Sequence, residues 1–426
     1  MKNPNLEYIK IGSALNSSQY GISIEMNENK TGYPIYRMNE IHNMFCDLDV
    51  NKYADISVSE YQKFALKNRD VLFNRTNSFE WVGRTGIYYQ NDNIEKTFAS
   101  YLVRFNPDEQ IILPEYLCAF LNSKYGVWDI KRRARQSINQ TNVNPEEIKE
   151  IEIPLLSMDF QNNLKEHFEK ANECIIKSES LYAEAEEILL SELGLKDWQP
   201  SNAVVNIKKL KESFLQTGRL DSEYYLPRYE DYVHLVEHYR GGYGEFRDVC
   251  MANEAHYVPN AGTEYKYIEL GNIGSYGEIT GCTVAAGQDL PSRARRMVHT
   301  NDVILSSVEG SLQSCALVTS DYDNAICSTG FYVVRSDVMN PETLLMLFKS
   351  EPMQNLLKRN CSGTILTAVS HNELQKIPLP KIRAEVQTEI AANVQKSISL
   401  RNEAKSLLEN AKEQVENTIQ MGGGYV

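Results

Sequence analysis

"RDVLFNRTNSFEWVGRTGIYY" fills residues 69–89 and reads as a strand, a polar loop and a second strand. At an offset of 232, "NDVILSSVEGSLQSCALVTS" (301–320) repeats that shape with almost entirely different loop residues. One hairpin scaffold is therefore written twice, with two tips.

The match extends outward from the hairpin. At the same offset of 232, "YPIYRMNEI" (33–41) falls on "YKYIELGNI" (265–273). Further on the offset becomes 226, where "VNPEEIKEIEIP" (143–154) meets "VSHNELQKIPLP" (369–380) and "KRRAR" (131–135) meets "LKRNC" (357–361). The blocks keep their order, which chance matches would not do, so the chain is an internal duplication.

Each half closes on a long helical pattern. Leu164, Phe168, Ala171, Ile175, Ser178, Tyr182, Ala185 and Leu189 step by alternating fours and threes. Ile390, Val394, Ser397, Arg401, Ala404, Leu408, Ala411 and Val415 step identically, each 226 residues later. A repeat of 3.5 residues marks a narrow apolar seam that needs a partner helix. Some 30 residues at about 1.5 Å each make a rod roughly 45 Å long. The two rods are expected to pair with each other, antiparallel, with Leu164, Phe168, Ile175, Tyr182, Leu189, Ile390, Val394, Leu408 and Val415 between them. The plainer alternative packs each rod on its own half. Polar Ser178, Ser397 and Arg401 leave room for a further chain at the seam.

"GLKDWQPSN" (194–202) carries Gly, Pro and Asn and reads as a linker; the stretch after it, to Tyr239, has no counterpart in the first half. Within each half mostly strands come first, "YPIYRMNEI", "DVLFNR", "GRTGIYY" and "TFASYLVRF" in one, "KYIELGNI", "DVILSS", "CALVTS" and "GFYVVRS" in the other. Helices follow at 114–126 and 341–360, each opened by a proline in its first turn. The expectation is an α+β fold: two duplicated mixed α/β domains, residues 1–155 and 201–380, separated by two long antiparallel coiled-coil helices. The first helix and linker take 156–200, the second helix 381–420, and "MGGGYV" (421–426) is a disordered tail.

The composition, 42% hydrophobic and 24% charged, is that of a globular protein, and 426 residues suffice for two domains. No apolar run approaches the length of about 18 residues that spans a bilayer, and "MKNPNLEYIKIG" lacks a secretory core, so a cytoplasmic location is expected. The eight cysteines form no C-x-x-C pair, which argues against a zinc ribbon or a disulfide framework. The net charge of −13 lowers the prior for a nonspecific DNA coat. Its distribution qualifies that: residues 1–155 hold 18 basic and 20 acidic side chains, whereas 156–200 hold 4 and 10. Local basic patches remain open to function.

Catalytic motifs are sparse. "HLVEH" (234–238) matches the H-x-x-E-H pattern in which His234 and His238 would bind zinc and Glu237 would act as base, but it has no evident third ligand. A surface helix with two incidental histidines is the stronger reading. "GNIGSYG" (271–277) lacks the glycine spacing of a dinucleotide loop, and no phosphate-binding G-x-x-x-x-G-K-[ST] or Ser/His/Asp set is present. No catalytic residue, metal ligand or cofactor is expected on this chain.

Basic and amide-rich loops carry the remaining chemistry. Lys131, Arg132, Arg133 and Arg135 stand beside Asn139, Gln140 and Asn142, and Arg75, Asn77, Ser78 and Arg84 lie at the hairpin tip. The second half offers Arg293, Arg295, Arg296, Ser307, Gln313, Lys358, Arg359 and Thr364. Cationic groups neutralise phosphates, and Arg, Asn and Gln can pair with base edges. Each cluster alone reads as a solvated face; the recurrence of Arg132 and Arg133 as Lys358 and Arg359 at the repeat offset points to duplicated DNA-binding sites.

On these residues the chain resembles a specificity subunit of a type I restriction–modification system. The resemblance rests on "RDVLFNRTNSFEWVGRTGIY", on "INQTNVNPEEIKEIEIPLL" leading into a long helix, on its echo "TAVSHNELQKIPLPKI", and on "RLDSEYYLPRY" (219–229). The second helix block departs from the family pattern in reading "RAEVQ", without a Glu-Gln pair. The resemblance implies two target-recognition domains, each reading half of a split double-stranded DNA sequence, with the helices as spacer. It implies two methyltransferase subunits as partners, bringing S-adenosylmethionine and adenine-N6 chemistry, and an endonuclease/translocase subunit where one joins. A different class of reading, a structural adaptor that bridges proteins and never reads DNA, stays open at this point.

Overall fold

The computed structural model describes residues 3–138, 140–196, 198–363 and 367–422. Contacts divide the chain into two compact units: Met1–Lys177 with Leu400–Val426, and Ser178–Ser399. The division falls within both long helices, Met158–Glu192 and Ala384–Met421. Met421 is thus helical rather than part of the expected tail, whose last four residues lie outside the described ones.

Unit 1 is built on a six-stranded sheet, in the order Leu15–Tyr20, Leu102–Pro107, Asp70–Asn74, Thr85–Tyr88, Phe45–Cys46, Ile41–His42. The quoted hairpin is its centre, Asp70 opposite Tyr88 and Phe73 opposite Thr85. The strand Asp70–Asn74 is buried on both faces, which is why Val71, Leu72 and Phe73 follow one another without a polar break. A second sheet sets Tyr33–Tyr36 between Thr97–Phe98 and Tyr53–Ala54.

Unit 2 repeats this plan. Met251–Asn253, Phe331–Arg335, Val303–Ser306 and Cys315–Leu317 form a sheet in the matching order. Glu264–Ile268 runs parallel to Ile326–Ser328, as Tyr33–Tyr36 does to Thr97–Phe98.

"TFASYLVRF", read above as one strand, is two. The chain turns at Ala99–Tyr101, where the Leu102 amide donates to the Ala99 carbonyl at 2.9 Å, and the two strands join different sheets. Unit 2 makes the same switch between Ser328 and Phe331. "YPIYRMNEI" likewise breaks after Tyr36, where Glu40 turns back to bond the Arg37 amide at 2.7 Å.

Single interactions are duplicated as well as strands. The buried Asp70 carboxylate accepts from the Lys67 amide at 2.8 Å and pairs with Arg104 at 3.0 Å. Asp302 accepts from the His299 amide at 2.7 Å and pairs with Arg335. The residue before each is left-handed, Arg69 at φ 69° and Asn301 at φ 72°. Asparagine tolerates that region; for arginine it costs about 1–2 kcal/mol. Arg69 is held there by two bonds to the fully buried Glu115, at 2.8 and 2.7 Å.

The start of each long helix is fastened by a glutamine. Gln161 Oε1 accepts from the Leu113 amide at 2.7 Å, and its Nε2 donates to the Leu156 carbonyl at 3.0 Å. Gln387 does the same with Asn340 at 2.8 Å and Ile382 at 2.8 Å. The "RAEVQ" block therefore keeps the glutamine that its structure uses.

In each unit the two long helices meet. Lys170 pairs with Glu403 at 2.9 Å within unit 1. In unit 2 the Ser178 and Ser397 hydroxyls are 2.8 Å apart and Glu192 binds Arg383 at 2.7 Å, so the helices run antiparallel there. Of the expected seam, Leu164, Phe168, Tyr182, Leu189, Ile390, Val394, Leu408 and Val415 are buried. Ile175 is only half-buried, and Cys174 takes the inward place. The plainer packing holds too: Tyr182, Leu189, Ile390 and Val394 share one core with Phe348, Leu356 and Tyr232 of unit 2.

Candidate nucleic-acid interface

The hairpin tip of unit 1 is held against the loop that follows the basic helix Lys124–Arg133. Thr76–Asn77 pairs with Thr141–Asn142, which pairs in turn with Arg135–Gln136. The Thr76 hydroxyl donates to Asn142 Oδ1 at 2.7 Å. In unit 2, Cys361–Ser362 pairs with Ala368–Val369, and Val308 bridges to Ala368. The two sequence regions singled out as DNA-binding are thus brought together in both units.

The cations at this junction divide by what their donors do. Lys131 Nζ gives its protons to the loop carbonyls of Phe79, Glu80 (3.0 Å) and Val82 (2.9 Å). An ammonium has three donors, so this set is complete, and burial lowers the Lys131 pKa. Arg133 is turned onto Asp129, at 2.9 Å from its carbonyl and 2.6 Å from its carboxylate. Both residues serve the fold first.

Arg132 shares Asp129 at 2.7 Å, but its side chain stays 52% exposed beside the Trp128 ring, 4.8 Å away. Arg135 is 75% exposed and pairs with Glu147 at 2.6 Å. Exposed pairs of this kind contribute at most about 1 kcal/mol, so Arg135 can exchange its carboxylate for a phosphate. Arg132 to Arg135, with Glu147 and Glu150, line a shallow cleft of about 400 Å³. Ser78 and Gln140 are exposed, Asn77 and Asn142 half-buried, and Asn139 lies outside the described residues.

Arg84 stacks over Trp81 with its guanidinium carbon 3.6 Å from the ring centre, and burial lowers its pKa without discharging it. Arg75 sits half-buried beneath the tip, 3.5 Å from the Ser100 carbonyl and 5.2 Å from the Tyr20 ring.

The repeat of the basic pair has different partners. Lys358 faces Glu223 at 3.5 Å, and Arg359 donates to the Tyr224 carbonyl at 3.3 Å while lying 4.4 Å from its ring. Arg219 is 4.4 Å from the same ring and donates to the Cys361 carbonyl at 2.9 Å. The "RLDSEYY" segment, without counterpart in unit 1, therefore engages both cations, although Lys358 stays 44% exposed against 52% for Arg132. Sequence offset alone gave no sign of this.

Elsewhere in unit 2, Arg293 reaches Tyr267 at 3.1 Å and Glu269 at 2.8 Å yet remains 60% exposed. Arg295 occupies the irregular register between Ala294 and Arg296. Arg296 is mostly covered, donating to the Phe331 carbonyl and lying 5.3 Å from the Tyr332 ring. The Ser307 hydroxyl donates to the Gly330 carbonyl at 3.0 Å, and exposed Gln313 accepts Lys349 on its carbonyl at 3.1 Å. Thr364 lies outside the described residues.

Three tip residues escaped the sequence reading: Phe79, Trp81 and Trp128, all exposed. The chain has only three tryptophans, and "FEW" in a polar hairpin loop and "VWD" on the polar face of a helix were signals available for two of them. His234 and His238 stack at 3.7 Å, with His238 Nδ1 2.9 Å from the His234 carbonyl. Among the described residues no group of three or more metal-ligating side chains converges, and no helix is long and apolar enough to cross a membrane.

A duplicated α+β scaffold whose tips gather cations and amides, with exposed aromatic rings at the unit 1 tip, has the make-up of a nucleic-acid reader. Residues 6–187 match the family model of the type I restriction modification DNA specificity domain, in agreement with the resemblance read from the sequence. A Methanocaldococcus jannaschii protein assigned as the MjaX type I restriction enzyme specificity subunit is 28% identical over 145 residues, 34% of each chain. The EcoKI specificity subunit of Escherichia coli is 24% identical over 204 residues, 48% of this chain and 40% of that one. The matches thus span about a third to two fifths of these relatives. The solved S subunit from M. genitalium aligns over 100% of this chain and 98% of its own, at 13% identity and a TM-score of 0.44.

Proposed function

We propose that the chain is a non-catalytic specificity subunit of a type I restriction–modification complex, binding double-stranded DNA at a bipartite target. Each unit reads one half of the target, and the long helices set the spacing between the halves. Two methyltransferase subunits dock on the chain and bring S-adenosylmethionine and adenine-N6 chemistry; an endonuclease/translocase subunit joins where the system restricts. Such a complex works in the cytoplasm, where its DNA is.

The observation that carries this reading is the pattern of what is repeated. Asp70 and Asp302, Arg69 and Asn301, and Gln161 and Gln387 hold the same roles, while the loops between the paired strands share almost nothing. Selection for one framework with two different tips fits two readings of one kind of ligand. The scaffold-adaptor alternative has no need of divergent cationic tips.

The test is to exchange residues 1–155 for those of another specificity subunit and sequence the methylome of a host carrying the neighbouring methyltransferase. One half of the target is expected to change and the other to stay. A change in both halves, or in neither, would overturn the reading.

A further inference from the structure

We infer that Trp128, with Trp81 on the loop fastened to its helix, is a base-stacking element confined to the half-site that unit 1 reads; the inference rests on the DNA reading above. Trp128 is 60% exposed and Trp81 42%. Single exposed apolar residues are ordinary, but here Phe79 at 45% and Val127 at 38% join them on one hairpin loop and one helix. Lys131 fastens that helix to that loop through the carbonyls of Phe79, Glu80 and Val82, so the rings are presented from a fixed joint.

Charge complementarity selects the occupant. Each ring carries its own cation: Arg84 is 3.6 Å from Trp81, Arg132 4.8 Å from Trp128, and Lys131 5.1 Å from Phe79. Lys131 and Arg133 are committed to the fold, but Arg132 and Arg135 keep their guanidiniums 52% and 75% exposed in weak surface pairs with Asp129 and Glu147, on a chain whose net charge is −13. Aromatic faces set among phosphate-binding cations are how proteins grip unstacked or kinked bases, each stack being worth roughly tenfold or more in affinity. A protein groove would have to cover those cations with acids.

Unit 2 lacks the element. At the repeat offset Trp128 becomes Gln354, whose amide is turned inward to the carbonyls of Leu312 at 3.1 Å and Phe348 at 2.7 Å. Gln354 thus fastens the unit 2 loop as Lys131 fastens that of unit 1. The loop itself, residues 308–314, holds no aromatic residue. The two half-sites are therefore gripped differently, with deformation of the duplex expected at one of them.

The experiment uses the full-length chain with Trp198→Phe, so that Trp81 and Trp128 are its only indoles, excited selectively over tyrosine. A duplex is first selected from a random library by the parent chain. Its addition is expected to quench the indoles, with most of the change lost in Trp128→Phe. Trp128→Leu should bind the selected duplex about tenfold more weakly with an unchanged salt slope, whereas Trp128→Phe should stay within about twofold of the parent. 2-Aminopurine placed in the unit 1 half-site should brighten with the parent and not with Trp128→Leu.

Tight duplex binding with unaltered indole emission and a parent-like Trp128→Leu would overturn the inference and leave the DNA reading standing. Indoles shielded by the methyltransferase subunit instead of the duplex would assign the patch to a protein partner and equally overturn it. A parent chain that retains no duplex either alone or with its methyltransferase subunits would end both readings.

Discussion

The Ser178 hydroxyl lies 2.8 Å from that of Ser397 in a mainly apolar seam, and Ser397 Oγ is also 2.9 Å from the Ser178 carbonyl. Ser397 has one proton, which goes to the carbonyl, so Ser178 donates to Ser397 and both buried hydroxyls are satisfied. A polar pair in such a seam fixes register, because sliding either helix strands both groups in apolar surroundings.

Ser397→Ala should destabilise the chain by about 1–2 kcal/mol, since it strands the Ser178 hydroxyl, and Ser178→Ala by less, since Ser397 still donates to the residue 178 carbonyl. The double variant should cost clearly less than the sum, the signature of a coupled pair. Guanidinium unfolding of the four proteins measures this, and strict additivity would remove the pairing from the account.

Glu192 gathers four donors: Tyr239 at 2.5 Å, Arg240 at 2.6 Å, and Arg383 at 2.8 and 2.7 Å. Arg383 leads in pulling its carboxyl down to about 2. A carboxyl lowered on folding stabilises the folded state above its unfolded pKa, and the benefit fades as pH falls from about 4.5 to about 2. Glu192→Gln should cost on the order of 1–2 kcal/mol at pH 7, discounted because both arginines reach water. It should also flatten the acid limb of the stability profile in that window; urea midpoints from pH 7 to 3 would show an unchanged limb if Glu192 were idle.

Lys131 and Arg135 are four residues apart but should behave oppositely. Lys131→Met removes the tether of three loop carbonyls and should lower stability by roughly 1–3 kcal/mol. Arg135→Ala should leave stability within about 0.5 kcal/mol, weaken DNA binding for all sequences alike, and reduce the salt slope by about one. Thermal melts and filter binding across salt separate the two; matching phenotypes would refute the division.

Asp70→Ala should be among the costliest single changes in unit 1, about 3–5 kcal/mol, because it leaves Arg104 largely buried without its carboxylate. Asp302→Ala should cost less, since Arg335 is about half exposed and can turn to water. Denaturation of both variants decides the order, and the reverse ranking would count against it.

The frame was legible because its signals are periodic. A 3.5-residue step and an ordered self-match survive large changes in side chain, and both led to elements that exist. The strand switch at Ala99–Tyr101 was not legible, since "TFASYLVRF" keeps its apolar pattern through the turn. The tips were read least well, for a physical reason. Composition shows that Lys131, Arg132, Arg133 and Arg135 are cations, but not that Asp129 and the loop carbonyls engage some and leave others outward. Nor could it show Glu223 and Tyr224 lying over Lys358 and Arg359, because no pattern links residues so far apart in the chain.

Gln161 and Gln387 fasten the helix starts to backbone groups of Leu113, Leu156, Asn340 and Ile382, all remote in sequence from the hairpin loops. Mutation at a tip therefore draws nothing from these clamps. A lineage can try new letters at its fingertips generation after generation while the hand that holds them is inherited intact.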